Sequence, residues 1–545
     1  MDIVALLVFS LVFGLVAVLG FFAGRWRSGD LNRLQEWGLA GRRFGTVMSW
    51  FLLGGDMYTA YSFIAVPGLI FSSGALGFFA IPYLTIIYPV LFIVLPKLWA
   101  VSRHRGYVTS ADFVRERFDS PALALLVAIV GICATMPYIA LQIYGMEILL
   151  TVMGVPTEIS LFVAFAVLAI YTYVSGLRAP ALIAIVKDIC IWAVTIVAII
   201  SITTRLGGFT TIFAAVHHKA LIDPAFHDVL PASSYSAYMT LALGSAFALL
   251  LYPHNLTGIL STNSGKVVKR NAALLPIYTL LLVAIGLLGY EAVAANVQPS
   301  AIYGANAALP ELFAKMFPSW FAGFAFAAIS VGALVPTAIM SIAAANLFTR
   351  NIYREYLRPH CNEREEASVA KTASLVVKFG ALAVILWLPT KLAINFQLFS
   401  NFLIIQTLPA VFIALYTRWF HKYALMIGIL GGLAVGGSMA VAEKFASVYP
   451  LVIGGVSIPV YIAIAALAVN LFLSVVFTFV FRVLAIANGE DLTTPLDYVR
   501  HPAGTGIKHL AAAHILPQTP LPEESFAQHD VPLTSLRERK KLEHP

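Results

Sequence analysis

Hydrophobic residues occur along this chain in long runs separated by short polar loops. The hydrocarbon core of a bilayer takes a helix of about 20 apolar residues. By that measure the sequence predicts thirteen transmembrane helices, numbered here as spans 1 to 13. The spans lie near residues 2–24, 44–72, 75–99, 121–153, 157–176, 178–204, 235–260, 271–297, 318–348, 371–390, 394–418, 422–442 and 453–484. We therefore expect an all-α polytopic membrane protein.

Span 2 carries polar and flexible residues at its centre, where a simple membrane anchor has none. Gly54 and Gly55 are adjacent, and each costs about 1 kcal/mol relative to alanine inside a helix. Asp56 follows at mid-depth, where an aspartate costs about 2.5–3.5 kcal/mol on insertion scales. These residues predict a helix that breaks near Gly54–Asp56 and turns its open backbone groups towards a polar site. Broken spans of this kind are typical of the binding sites of secondary transporters.

Composition agrees with a membrane protein. The chain has 545 residues, of which 60% are hydrophobic and 11% charged, and its mean hydropathy is +0.86. The net charge of +8 comes mainly from Lys and Arg in short loops, so we interpret it as membrane topology and expect no nucleic-acid partner. The positive-inside rule then predicts an external N-terminus and a cytoplasmic C-terminus. Three cysteines without paired spacing indicate neither a disulfide framework nor a resident metal or cofactor.

Two polar regions on the predicted cytoplasmic side have patterns of their own. The loop Arg103–Ser120 predicts a short amphipathic interfacial helix capped by Thr109 or Ser110. The tail after about residue 485 turns polar, and we expect it to be mostly disordered.

Several motifs occur in the order typical of one transporter family. They are GYVTSADFVRERF after span 3, SGLRAPALIAIVKDI in span 6, Pro253-His254 in span 7 and SIAAANLFTRNIYREYLRP at the end of span 9. Together with the broken span 2, they resemble the sodium:solute symporter family over roughly residues 5–480. Within the family, the chain is most similar to the bacterial monocarboxylate permease branch, which takes up lactate, pyruvate, short fatty acids and alanine. This resemblance implies a protein of the bacterial cytoplasmic (inner) membrane, surrounded by lipid.

The resemblance also implies a LeuT-like fold built from two inverted repeats of five helices. The expected parts are a peripheral helix and basic loop (1–43), the first repeat with spans 2–6 (44–206), the second repeat with spans 7–11 (207–418, including an external loop at 207–234), peripheral spans 12 and 13 (419–484) and a cytoplasmic tail (485–545). Spans 2 and 7 would be the symmetry-related broken helices.

Family members hold sodium between carbonyl groups of span 2 and two hydroxyl residues of span 9. The resemblance aligns Val335-Pro336 with that hydroxyl pair, and neither side chain can coordinate sodium. Lys187 in span 6 is an alternative cation, because in sodium-independent transporters of the wider fold a lysine on the equivalent helix can occupy the ion position. Proton coupling is therefore favoured over sodium coupling. The candidate ion-coupling residues are Gly55, Asp56, Tyr58, Lys187, Asp188 and Thr337, of which Gly55, Tyr58 and Thr337 would be ligands if sodium is the ion.

Lys187 also has structural interpretations. It could form a static buried pair with Asp188, or extend towards the cytoplasmic surface. For Lys378, near the start of span 10, extension towards that surface is the better account.

A small carboxylate needs hydrogen-bond donors at the break, and polar residues of three spans offer them. The candidate substrate-binding residues are Thr59, Tyr61 and Ser62 in span 2, Tyr138 and Gln142 in span 4, and Tyr252, His254 and Asn255 in span 7. Gln397, Asn401 and Gln406 in span 11 are expected to bond between helices instead.

These observations predict a cation-coupled symporter for small monocarboxylates that works by alternating access. One alternative is a sodium symporter of the same family for an amino acid, pantothenate or a sugar. Another is a sensor that keeps the transporter fold. An enzyme is not expected, because no HExxH, GxSxG or paired-aspartate motif occurs in a span. No feature of the sequence identifies a protein partner.

Overall fold

The structure is a computed structural model that describes residues 2–25, 29–387 and 392–498. Its helices in chain order are α1 (Ile3–Arg25), α2 (Leu34–Leu39), α3 (Thr46–Gly55), α4 (Val66–Ser73), α5 (Pro82–Arg105), α6 (Ser110–Phe118), α7 (Pro121–Val152), α8 (Thr157–Ser175), α9 (Arg178–Arg205), α10 (Phe209–Ile222) and α11 (Tyr235–Leu251). They continue with α12 (Pro253–Leu260), α13 (Gly265–Leu274), α14 (Pro276–Ala294), α15 (Ala308–Met316), α16 (Ser319–Phe348), α17 (Glu363–Trp387), α18 (Ile394–Ile405), α19 (Leu408–Val411), α20 (Lys422–Ala442) and α21 (Ile462–Val483).

The described helices are consistent with an integral membrane protein. Ten of them are long and apolar enough to cross a membrane, or eleven if the bent pair Ile394–Ile405 and Leu408–Leu415 is one span. Shorter apolar helices lie at Thr46–Gly55, Tyr61–Ser73 and Thr157–Val167, inside predicted spans 2 and 5. The total of thirteen crossings, the sides of the two termini and the inverted repeats stay predictions.

Helix α16 lies at the centre of the packing. It contacts α1, α7, α9 and α17, and its most apolar stretch is completely buried. Small residues fill much of its surface, which lets the neighbouring backbones approach closely.

Span 2 is interrupted where the sequence predicts. Helix α3 ends at Gly55, a turn follows, and the chain continues through a π-helical turn at Tyr61–Ala65 into α4. In the turn the amides of Met57 and Tyr58 bond to Gly54 O and Gly55 O, three residues back, at 2.9 and 3.2 Å.

Span 7 is interrupted as well, between α11 and α12. Tyr252 has φ −55° and ψ 130°, which is outside the helical region. The next residue, Pro253, has no amide hydrogen and disfavours a helical conformation in the residue before it. Pro253 then occupies the first turn of α12, a position that suits its fixed φ.

One expectation needs correction and two others gain detail. Span 13 begins at Ile462 and not at residue 453, because residues before it form an antiparallel hairpin of β1 (Val448–Ile453) and β2 (Val456–Tyr461). Gly454 and Gly455 both have positive φ, at 58° and 83°, as a two-residue hairpin turn requires. The predicted external loop 207–234 contains a helix, α10.

The start of the tail is ordered. Residues 486–498, which we call the C-terminal strap, pack against α5, α6 and the segment before α20. The rest of the tail prediction, residues 499–545, lies outside the described part of the chain.

The predicted amphipathic helix is present as α6, and its position at the membrane interface stays a prediction. Thr109 is its N-cap, and Asp112 completes a capping box with it.

Candidate functional site

The break in span 2 is held by a buried lysine from α9. Lys187 Nζ donates hydrogen bonds to Gly55 O and, at 3.4 Å, to Tyr58 O. Its side chain has no exposed surface, so extension of Lys187 to the membrane surface is ruled out. The ammonium thus lies at the two span 2 carbonyl groups named from the sequence, and its role in coupling stays a prediction.

Asp188 lies beside the same lysine and connects it to α14. Its Oδ1 is 3.2 Å from Lys187 Nζ, and its Oδ2 accepts a 2.6 Å hydrogen bond from the Tyr278 hydroxyl. The Tyr58 hydroxyl in turn donates to Tyr278 O at 2.9 Å. Span 2, α9 and α14 therefore meet in one network, which balances the buried charge of the lysine.

The two glycines of the break allow these contacts. A Cβ at Gly54 would collide with the Tyr278 ring, and one at Gly55 would lie 2.9 Å from Lys187 Nζ. Gly54 therefore needs glycine for close approach, in addition to the low helix propensity that predicted the break, whereas a Cβ at Gly55 would require the end of the Lys187 side chain to shift.

Helix α16 passes close to the carbonyl group of Tyr58. A Cβ at Gly332 would lie 3.1 Å from that oxygen. The Thr337 hydroxyl donates to Ala333 O of its own helix at 2.8 Å. No group of three or more His, Cys, Asp or Glu side chains among the described residues could hold a metal ion.

Asp56 faces the second broken span. Its Oδ2 lies 3.1 Å from His254 Nε2, and the two side chains are 6% and 1% exposed. The rings of Tyr138 and Tyr252 lie 5.6 and 5.0 Å from the imidazole. The structure thus brings candidates from spans 2, 4 and 7 into one buried aromatic and polar cluster.

Tyr61 and Tyr252 have further partners around this cluster. The Tyr61 ring lies 6.4 Å from the ring of Tyr83 on α5. The Tyr252 hydroxyl lies 2.8 Å from Ser400 Oγ and 2.6 Å from Asn401 Oδ1 on α18, and it shares its single proton between these acceptors. Tyr252 therefore connects the break in span 7 to span 11.

The other substrate candidates bond to backbone groups opened by the breaks. Gln142 Oε1 accepts from Ala60 N at 3.0 Å, and Thr59 Oγ1 accepts from the amide of Tyr61 at 3.0 Å. Asn255 Nδ2 donates to Leu249 O at 2.7 Å across the span 7 break, and the Ser62 hydroxyl donates to Met57 O. Because these side chains satisfy buried backbone groups, they hold the breaks in shape as well as lying at the candidate site.

Sequence reasoning missed Tyr83 and Tyr278. The available signal was weak: both are tyrosines in the first turn of a helix that begins with proline, α5 and α14. A tyrosine inside an apolar span usually has a partner for its hydroxyl when it is buried, but the sequence does not identify that partner.

Lys378 does not extend to the surface, contrary to the expectation. Its side chain is buried in α17 and donates to Ser374 O at 2.9 Å. Two of the span 11 residues bond between helices as expected. Asn401 Nδ2 donates to Ser245 Oγ at 3.2 Å, and Gln406 Oε1 accepts from Asn470 Nδ2 at 3.1 Å.

Comparison with known proteins identifies the relatives of this arrangement. The model of the sodium:solute symporter family matches residues 37–432. A monocarboxylate transport permease protein of Rhizobium johnstonii is 49% identical over 473 residues, which cover 87% of this chain and 96% of that protein. A sodium/pantothenate symporter of Escherichia coli is 25% identical over 474 residues, covering 82% of this chain and 93% of that protein.

The fold also has a solved counterpart. The structure of a Na⁺-coupled sialic acid symporter, in a substrate-bound outward-open state, matches with a TM-score of 0.72 at 16% identity. The match covers 90% of this chain and 99% of the other. The described helices therefore have the fold of a sodium symporter, in agreement with the LeuT-like fold implied by the sequence.

Proposed function

Because this chain belongs to the sodium:solute symporter family, we propose that it imports small monocarboxylates together with protons by alternating access. Lactate, pyruvate, acetate, propionate and alanine are the proposed cargo. The 49% identity to a monocarboxylate transport permease supports the substrate class.

The observation that carries the coupling proposal is the position of the Lys187 ammonium group. It donates to Gly55 O and Tyr58 O, the span 2 carbonyl groups at which a sodium ion would be expected. A lysine carries its charge on a flexible stem and gains or loses one proton, so it can replace a metal cation that comes and goes.

In this mechanism the protonated Lys187 keeps the break in span 2 closed around its carbonyl groups. Loss of the proton to the cytoplasm removes the positive charge from the carbonyl groups of Gly55 and Tyr58. The break then relaxes, and the cargo held by the neighbouring hydroxyl and amide groups leaves. Asp188 keeps Lys187 directed at the break through its contacts with Lys187 and Tyr278.

Sodium coupling is the second candidate. The sodium-coupled relatives favour it, and Gly55 O, Tyr58 O and Thr337 would then be the ligands. It requires the Lys187 ammonium to leave the carbonyl groups that it contacts in this structure.

The deciding experiment is uptake of labelled lactate into proteoliposomes with pH and sodium varied independently. We expect accumulation to follow an inward proton gradient and to be the same with and without sodium. Strict dependence on sodium at constant pH would overturn proton coupling. Absence of uptake for every acid tested would overturn the transport proposal and leave a sensor as the alternative.

A pair of lysine variants sharpens this test. Lys187→Ala should abolish proton-driven accumulation while exchange of internal for external lactate continues. Lys378→Ala is the matched control, because it removes a buried lysine that bonds only within α17 among the described residues. The control should accumulate lactate like the unaltered protein. Equal loss of accumulation in both variants would contradict a specific role for Lys187.

A further inference from the structure

A cavity lies next to Asp56, and none of the tyrosines near His254 is among its lining residues. Its walls come from α3, α5, α11, α12 and α13 and include Met57, Leu91, Asn255 and Ala272. Asp56, Asn255 and Asn271 supply the polar groups of an otherwise apolar lining. The cavity therefore touches the breaks of both span 2 and span 7.

Asn271 is the unusual residue of this cavity. Its side chain is completely buried, yet neither its amide nitrogen nor its amide oxygen has a hydrogen-bond partner within the described chain. Asp56 Oδ1 is unpaired in the same way. A buried amide without partners is costly, so such a group indicates a place where a ligand or water supplies the missing hydrogen bonds.

The chemistry of the lining restricts that ligand. Asn271 offers one donor group and one acceptor side by side, which suits a hydroxyl group or a carbonyl oxygen. The surrounding leucine, methionine and alanine side chains suit a methyl group. Asp56 disfavours a second carboxylate at close range, so the carboxylate of a cargo molecule, which is bonded to the carbon that carries the 2-oxygen, would point away from Asp56.

We propose that this cavity receives the 2-hydroxyl or 2-oxo group and the methyl group of 2-oxygenated monocarboxylates, and that Asn271 determines specificity for them. A 2-hydroxyl group donates to Asn271 Oδ1 or accepts from Nδ2, and a 2-oxo group accepts from Nδ2. This inference rests on the proposed transport function and adds a distinction within it. Lactate and pyruvate make the Asn271 contact, and propionate and acetate do not.

The test compares lactate with propionate, which differ by a single hydroxyl group, in the Asn271→Leu variant. Leucine is close to asparagine in size and agrees with the apolar surroundings. Under one fixed proton gradient in proteoliposomes, the KM for lactate should rise about five- to tenfold, the effect of losing one hydrogen bond. The KM for propionate should stay the same. An equal change for both acids, or no change for either, would overturn the inference.

A second variant covers the case in which Asn271→Leu does not fold. Ala272→Val narrows the cavity beside Asn271 without removing a polar group. It should weaken uptake of lactate. Uptake of acetate should stay unchanged, because acetate has neither the 2-oxygen nor the third carbon. A constant lactate-to-acetate ratio would count against the cavity as a cargo site. The unaltered protein is measured first, and failure to transport either acid would refute the proposed function itself and the inference with it.

Discussion

His254 Nε2 lies 3.1 Å from Asp56 Oδ2, and this contact joins the breaks of spans 2 and 7. Asp56 follows the last residue of α3, and His254 is the second residue of α12. Both side chains are almost fully buried. A movement of either break therefore changes the surroundings of a titratable group in the other.

Removal of His254 should destabilise the protein, because Asp56 would stay buried without its partner. Leaving a buried polar group without a partner costs about 1–3 kcal/mol. We expect His254→Ala to lower the thermal unfolding midpoint of the purified protein in detergent. The double variant with Asp56→Asn should recover part of the loss, since no carboxylate is then left unpaired.

A second histidine–carboxylate contact provides the control for this prediction. His217 Nδ1 lies 2.6 Å from Asp228 Oδ2, but the His217 side chain is 65% exposed. Exposed pairs contribute about 0–1 kcal/mol, so His217→Ala should leave the midpoint almost unchanged. Equal shifts for His254→Ala and His217→Ala would show that the contact between the breaks is not stabilising.

Gly54→Ala should disturb the network around Lys187. The added methyl group would collide with the buried Tyr278 ring, whose hydroxyl donates to Asp188. Overpacking of this kind costs about 1–3 kcal/mol, and displacement of Tyr278 should also reduce lactate uptake.

Gly437→Ala is a matched control for Gly54→Ala. Gly437 lies inside α20, and a Cβ there would meet no atom within 4 Å. Alanine should be neutral or stabilising at that position, by up to about 1 kcal/mol. Both variants are compared with the unaltered protein by their thermal unfolding midpoints and their initial rates of lactate uptake. A Gly54→Ala protein that behaves like the control would contradict the close packing of the break.

Features governed by local rules could be predicted from the sequence. The glycine pair before Asp56 and the proline at residue 253 each interrupt a helix through their own backbone chemistry, and both breaks are present. The cap of α6 by Thr109 follows from its neighbour Asp112 in the same way.

Features that depend on packing between distant segments could not be predicted. Tyr278 is 90 residues from Asp188, and no local pattern pairs them. The direction of Lys378 depends on which helices cover α17, and a hydropathy profile does not contain that information. Asn271 looked like an ordinary residue at the start of an apolar run, and only its burial against the cavity distinguishes it.

The order of the C-terminal strap is the clearest case, because a polar composition predicted disorder. The strap is held by ion pairs and backbone bonds to distant segments. Asp491 pairs with Arg117 and, at 2.7 Å, with Arg418, while Asp497 accepts from Arg105 Nε at 2.9 Å. Polar residues are ordered here by complementary charges, although isolated surface pairs contribute little.

Gly489→Ala should release this strap from its binding surface. A Cβ at Gly489 would collide with the backbone carbonyl oxygen of Phe118, and a backbone group has little room to move. The hydrogen bond from Leu492 N to Glu116 O, 3.0 Å long, should then be lost. We expect the Leu492 amide to exchange its hydrogen with deuterium at least about tenfold faster, as a loss of local stability of about 1.4 kcal/mol would cause.

Hydrogen–deuterium exchange followed by mass spectrometry of a peptide that contains residues 486–498 measures this effect. Glu490→Ala is the control, because Glu490 is exposed and adjacent to the affected glycine. Its exchange should equal that of the unaltered protein. If Gly489→Ala protects Leu492 as well as the control does, the strap is held by its ion pairs alone and the close approach to Phe118 is dispensable.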